Sequence, residues 1–225
     1  ASLGLPDDCQ QPGCEALLLA VYRQWCEADP RRAHTRTEME GHAEISLGIP
    51  STHYYLSGRP FFAPDNPPTL DGEAYRLKSG ISAERWRLKD ESAGGVGLFR
   101  PAELARDPVL ELDQLMLVRT GTGGSLLCTV QWMLEADRGD LHLGTQLLGF
   151  APRAVAARMQ DEPTWQPALL LAGAGGKGDT LVVPPGACVP GQTIEIYTDA
   201  FARWRVGAVA GRGTDFERVA IAPAE

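Results

Sequence analysis

The 225-residue sequence lacks any apolar run approaching the ~20 residues that a membrane-spanning helix needs. It has no CxxC pair, and its five cysteines (Cys9, Cys14, Cys26, Cys128 and Cys188) form an odd, widely spaced set. That pattern excludes a disulfide-dense mini-scaffold and predicts the reduced, structural thiols of a cytoplasmic protein. Basic charge is scarce as well. Against 29 Asp and Glu stand 21 Lys and Arg, a formal net charge of −8. A general binder of nucleic-acid polymers or membrane surfaces needs a basic face to meet phosphates, so neither class is expected. The apolar run at residues 16–22 is short, follows Asp7, Asp8 and Glu15, and has no basic leader. No signal peptide is expected there. The sequence starts at Ala1, as expected of a processed chain or a piece of a longer one.

Glycine and proline are plentiful, at 25 and 17 residues, about a fifth of the chain. This punctuation suits many short strands and turns better than a helical bundle. With 44% apolar and 22% charged residues, the composition is that of a globular chain, long enough for one large domain or two small ones.

Residues 1–13 read as a loose polar lead-in. Leu18, Val21, Tyr22 and Trp25 then fall at i, i+3, i+4 and i+7, which predicts an amphipathic helix over residues 15–28. Asp29-Pro30 ends it, because the proline ring disfavours the α conformation in the preceding residue. A cationic cluster follows at once: Arg31, Arg32 and Arg36, with His34 between. Residues 41–49 read as a first strand, with 52–56 as its extension. The four prolines of residues 59–80 (Pro60, Pro64, Pro67 and Pro68) mark a long surface insertion. Alternation predicts further strands at 85–89, 96–100, about 110–119, 125–134 and 140–148. Turn signals at 121–124 and 137–139 make the last three an antiparallel meander. Residues 150–159 read as a short helix. Strands at 168–171, 180–183, 192–197, 203–210 and 216–221 complete a small second β module.

Two short motifs stand out. Arg32-Ala-His-Thr-Arg36 spells RxxxR, and Asp90-Glu91-Ser92-Ala93-Gly94-Gly95 spells DxSxxG. Two arginines four apart in a loop present two planar forks, each able to pair with a phosphate or a guanine edge. The second motif supplies the complement: a carboxylate to accept from guanine N–H groups, an orienting hydroxyl, and glycine for close backbone approach.

In these motifs the chain resembles the PilZ family of cyclic di-GMP receptors. The resemblance covers about residues 30–150 and includes Leu141-His142-Leu143-Gly144-Thr145-Gln146-Leu147, which looks like the family's closing strand. It implies a mainly β fold: a six-stranded antiparallel barrel flanked by an N-terminal helix, with the small β module following. The expected division is 1–29 for the lead-in and helix, 30–159 for the barrel, and 160–225 for the module. By the same resemblance Arg32, Arg36, Asp90, Ser92 and Gly95 bind the dinucleotide. Arg31, directly before the motif, implies two cyclic di-GMP molecules per chain. The two motifs lie 54 positions apart, wider than is usual in the family, and the insertion at 59–80 accounts for the excess.

Other patterns point less far. Residues 173–178 spell GxGxxG, but a strand and Pro184-Pro185 follow where a dinucleotide fingerprint requires a helix. Glu38, Glu40, His42 and Glu44 alternate along one strand face, which is equally a solvated face, and His53 and His142 offer no ligand spacing. Ser92 has no nucleophile elbow around it. Trp86, Trp132, Trp165 and Trp204 read as core or inter-module anchors, with Trp132 also a candidate for the ligand edge of the barrel. The expectation is a bacterial, cytoplasmic cyclic di-GMP receptor that signals to an unidentified downstream protein. It is expected to be no enzyme, to bind no metal or cofactor, and not to insert in a membrane. The alternatives are a degenerate PilZ-like protein-interaction adaptor that does not bind the nucleotide, and an enzyme using the acidic strand or the Gly-rich loop.

Overall fold

The fold is set by strands whose apolar residues either alternate or run without a break. The computed structural model describes residues 35–66, 71–104, 110–121, 124–136, 139–160, 162–173 and 178–224. The expected N-terminal helix, Arg31 and Arg32 lie outside them. Contacts divide the chain into residues 1–35 and 36–225, and every element below belongs to the second unit.

Seven strands build a first barrel: β1 (Thr37–Glu38), β2 (His42–Leu47), β3 (Glu84–Ser92), β4 (Gly95–Arg100), β5 (Leu115–Thr120), β6 (Ser125–Glu135) and β7 (Leu141–Phe150). They run in the order β1-β3-β2-β5-β6-β7-β4, and β4 pairs back onto β3. β1 continues β2 along one edge of β3, so the closed barrel has six antiparallel staves. Inside it pack Ala43, Ile45, Trp86, Leu98, Met116, Val118, Cys128, Val130 and Leu143.

The C-terminal module is itself a closed six-stranded antiparallel barrel. Its strands are β8 (Arg153–Met159), β9 (Gln166–Leu171), β10 (Thr180–Val183), β11 (Thr193–Tyr197), β12 (Phe201–Arg212) and β13 (Glu217–Pro223), in the order β10-β13-β12-β11-β8-β9. The helix expected at 150–159 is therefore strand β8. Its alanines favour a helix locally, but Val155 and Ala157 alternate into the second core and the backbone pairs with β9 and β11.

The strand extension expected at 52–56 is likewise corrected. Gly48–Ser57 forms helix α1, ended by Gly58 in the left-handed conformation at φ 67°. Its β-branched and aromatic residues suggest a strand, but Ile49, Thr52 and His53 fall on one helical face and are all buried. The insertion contains a helix: α2 (Gly72–Lys78) is capped by Asp71, whose side chain accepts from the Ala74 N–H at 2.8 Å.

A third apolar cluster joins the two barrels. Ile49 of α1, Leu115 and Leu127 of the first barrel, and Leu169, Leu171, Val182 and Phe216 of the second pack together, each no more than 2% exposed. This explains the unbroken apolar runs. Met116 and Cys128 face one core while their neighbours Leu115 and Leu127 face the seam, and Leu170 and Leu169 divide in the same way. Polar bonds cross the seam too. The Leu115 N–H donates to Asp215 Oδ1 at 2.9 Å, and Arg218 Nη1 donates to the Leu148 carbonyl at 3.1 Å. Burial pushes the Asp215 carboxyl above its ordinary value, against the Leu115 hydrogen bond.

Candidate functional site

β1 carries the chain past the end of β3, pairing Thr37 with Glu91 and Glu38 with Asp90. This register brings the residue before β1, Arg36, abreast of Ser92. Arg36 Nη1 donates to Asp90 Oδ1 at 2.7 Å, and the two side chains are 27% and 18% exposed. The halves of the two motifs thus meet despite the wide gap in sequence. The insertion leaves the β2–β3 pairing intact at residues 42–45 and 84–87, so it loops out between strands that remain neighbours. Each partner keeps capacity beyond the bond: a guanidinium has five donors, and a carboxylate has a second oxygen.

Ser92 and Gly95 form the adjoining turn. Ser92 Oγ donates to the Gly95 carbonyl at 3.2 Å and accepts from the Gly94 N–H at 3.3 Å. Gly95 sits at φ 151°, and a Cβ there would overlap the Thr145 carbonyl of β7. Only glycine meets both demands. Thr145 Oγ1 holds the far side of the turn, accepting from the Val96 N–H and donating to the Val96 carbonyl, both at 3.0 Å. Arg36, Asp90, Ser92 and Gly95 are therefore gathered at one barrel edge. Arg31 and Arg32 lie outside the described residues.

Asp90 owes its position to a β-bulge. Alternation from Trp86 and Leu88 would turn it into the core. However, Leu88 pairs with Leu98 while Asp90 pairs with Gly97, so Lys89 is an extra residue on β3. The slip turns Asp90 onto the outer face, over Gly97, where a Cβ would come within 2.6 Å of Asp90 Oδ1. A second bulge lies three strands away, on β6. Val130 pairs with Thr145 and Trp132 with Gly144, so Gln131 is extra on β6 and Trp132 turns outward instead of following Val130 into the core. Its indole lies over Gly144, leaving no room for a Cβ, and the residue is 42% exposed.

Gly97 and Gly144 are cross-strand partners, so Asp90, Gly97, Gly144 and Trp132 form one row across four strands. The row sets a carboxylate over Gly97 and an indole over Gly144, each taking the space a side chain on the glycine beneath would need. A planar heterocycle laid against the outside of this row meets a hydrogen-bond acceptor and an aromatic side chain together. Beside it runs a second row of Arg87, Phe99, His142 and Leu134, with the Phe99 and His142 rings 5.0 Å apart. Sequence reasoning missed Gly97 and Gly144. A glycine inside an otherwise apolar strand pattern is a signal for close approach and was there to be read.

The remaining sequence patterns find ordinary places. Glu44 pairs with Arg119, and among the described residues no group of three or more His, Cys, Asp and Glu is placed to hold a metal. The GxGxxG segment joins β9 to β10, which pair as an antiparallel hairpin. Cys128 and Cys188 are buried free thiols, and burial pushes them up to about 12 and about 11. His53 is pushed down to about 4 by burial against the second barrel. Trp86 fills the first core, and Trp165 is buried in the second barrel under the Arg158 guanidinium, 4.5 Å from the ring centre. Among the described residues, no helix is long and apolar enough to cross a membrane.

No family model matches the chain, and no curated protein matches it. Solved structures that align with it include the Borreliella burgdorferi PlzA protein in complex with c-di-GMP, at 8% identity, TM-score 0.29 and 92% coverage of both chains. The Bacillus subtilis inhibitor of motility, MotI/DgrA, aligns at 8% identity and TM-score 0.24, covering 84% of this chain and 90% of its own. Overlaps this loose establish neither fold nor function, which rest on the residues described above.

Proposed function

We propose that this protein is a cyclic di-GMP receptor of PilZ type, a reversible binder and not a catalyst, acting in the bacterial cytoplasm through a downstream protein. The observation that carries this reading is the 2.7 Å Arg36–Asp90 contact, which joins RxxxR to DxSxxG at the edge of a six-stranded barrel. Arg36, with Arg32 and Arg31, supplies guanidinium forks for the ligand's phosphates and guanine edges. Asp90 accepts from guanine N–H groups, the Ser92–Gly95 turn lets the ligand approach the backbone, and the exposed side of Trp132 receives a base. Two dinucleotides bind per chain, because a stacked pair concentrates negative charge that Arg31 offsets. Differential affinity for two arrangements of the arginine segment is what passes the signal on.

The second reading is the ligand-free adaptor. It is favoured by the mutual satisfaction of Arg36 and Asp90 and by the engagement of Ser92 within its own turn. Ligand selectivity separates the two. The receptor binds cyclic di-GMP and rejects cyclic di-AMP, and Asp90→Ala erodes that discrimination. An adaptor binds neither dinucleotide, with or without the substitution.

A further inference from the structure

On the same outer sheet face, roughly 15 Å along β3 from Asp90 at ~3.3 Å per residue, lies a cleft that the dinucleotide motifs do not use. It measures about 490 Å³, within the roughly 300–1,000 Å³ of small-molecule sites. Its walls come from β2, β3, β5, the start of β6 and the C-terminal half of α1. Three side chains stand abreast on its sheet wall, because Glu44 pairs in register with Arg85 on one side and Arg119 on the other.

The two arginines differ. Arg119 is fixed three ways: it pairs with Glu44, donates to the Tyr55 carbonyl at 3.3 Å, and lies 5.1 Å from the centre of the Tyr55 ring. Arg85 is exposed, and among the described residues it makes no hydrogen bond or ion pair. The cleft therefore holds one pre-positioned guanidinium and one uncompensated guanidinium against a single carboxylate. This is a local positive site on a chain of net charge −8. Tyr55 and Leu56 add an apolar wall, and Ser125 also lines the cleft.

We infer that this cleft binds a small phosphate monoester with an apolar or aromatic body. Arg85 and Arg119 stem from positions roughly 10 Å apart across two strand spacings, and their long side chains converge on one group between them. Guanidinium donors arriving from two sides fit a tetrahedral dianion better than a planar carboxylate. The body of the ligand lies against Tyr55 and Leu56. Glu44 orients Arg119 and limits affinity by its own charge. The site is independent of the cyclic di-GMP reading.

Phenyl phosphate is the probe, followed by broadening of its ³¹P resonance on titration with the full chain. Saturable broadening is expected, with benzoate a weaker competitor than inorganic phosphate. Arg85→Ala should weaken binding about tenfold or more. Glu44→Gln, which keeps a hydrogen bond to Arg119 and removes the charge, should tighten it several-fold. That gain is one that a merely structural role for Glu44 would not produce. Arg36→Ala should leave the probe bound. No broadening by the unmodified protein, or full binding in Arg85→Ala, would overturn the assignment. So would loss in Arg36→Ala with retention in Arg85→Ala, which places the anion at the motif arginines.

Discussion

The two barrels have the same number of staves and the same closure but differ in what their outer faces present. On the second barrel part of the surface is tied together by ion pairs, while Arg153 and Arg205 are exposed and have no ion pair among the described residues. Glu195 takes both Arg158 and Arg203, Glu217 takes Arg212, and Arg218 reaches Thr180 and the Leu148 carbonyl. What the first barrel adds is an arrangement: it keeps Arg36 and Asp90 at a turn built for close approach and shows Trp132 in the same cross-strand row as Asp90. Bulges alone do not explain this. β12 also slips register, between Val206 and Gly211, but the residues it re-aims there are small and apolar. In the first barrel two slips turn out a carboxylate and an indole, while a third, at Leu148, sets that residue against the seam. A barrel becomes a binding surface through the residues its irregularities expose, while the regular ladder only holds them.

The sharpest way to break the comparison is to separate the barrels. They share the seam of Ile49, Leu115, Leu127, Leu169, Leu171, Val182 and Phe216, so truncation after residue 150 should leave no cooperatively folded first barrel. Phe216→Ala should cost about 3–5 kcal/mol in one unfolding transition common to both barrels, measured in urea by fluorescence and far-UV dichroism together. A truncated chain that folds and binds cyclic di-GMP would make the second barrel an accessory.

Next in size is the site itself. Arg36→Ala should lower cyclic di-GMP affinity by about 2–4 kcal/mol, roughly 30- to 1000-fold, because it removes a charge-assisted donor and strands Asp90. Gly95→Ala should cost about 1–3 kcal/mol of stability through its backbone conformation alone, with further loss from overlap with Thr145. Unfolding curves that match the unmodified protein would show that the turn tolerates a side chain.

The smallest effect belongs to the paired surface of the second barrel. The Arg158 hydrogen bond, ahead of smaller help from Arg203, holds the Glu195 carboxyl below its ordinary value. A depressed carboxyl stabilises the fold fully above its unfolded value, about 4.3, and loses that contribution as pH falls through the folded value. Glu195→Gln should therefore flatten the acid limb of stability by under about 1 kcal/mol and leave neutral-pH ligand binding unchanged. A loss of binding would tie the two surfaces together.

What could be read from the sequence depended on whether local pattern and tertiary demand agreed. Alternating strands such as that around Trp86, and the meander set by its turn glycines, were legible because pattern and pleat coincide. So were the motif residues of the turn, since Gly95 is required by backbone geometry. The 52–56 and 150–159 segments were misread. Their local preferences, strand-like in one and helix-like in the other, are overridden by burial at the seam and by ladder pairing. The single-residue slips at Lys89 and Gln131 carry no composition signal, so the outward turn of Asp90 and Trp132 emerged only from register. The continuous apolar run at 115–118 marked a strand, but its second buried face belongs to a neighbour that periodicity cannot name.

The central claim is that the joined motifs bind cyclic di-GMP, and titration calorimetry of the full chain tests it most directly. The account predicts saturable heat with two molecules of dinucleotide per chain, falling toward one in Arg31→Ala. Saturation at one ligand in the unmodified protein would correct the stoichiometry alone. Absence of binding heat from a folded protein across the micromolar range would contradict the receptor and leave the adaptor.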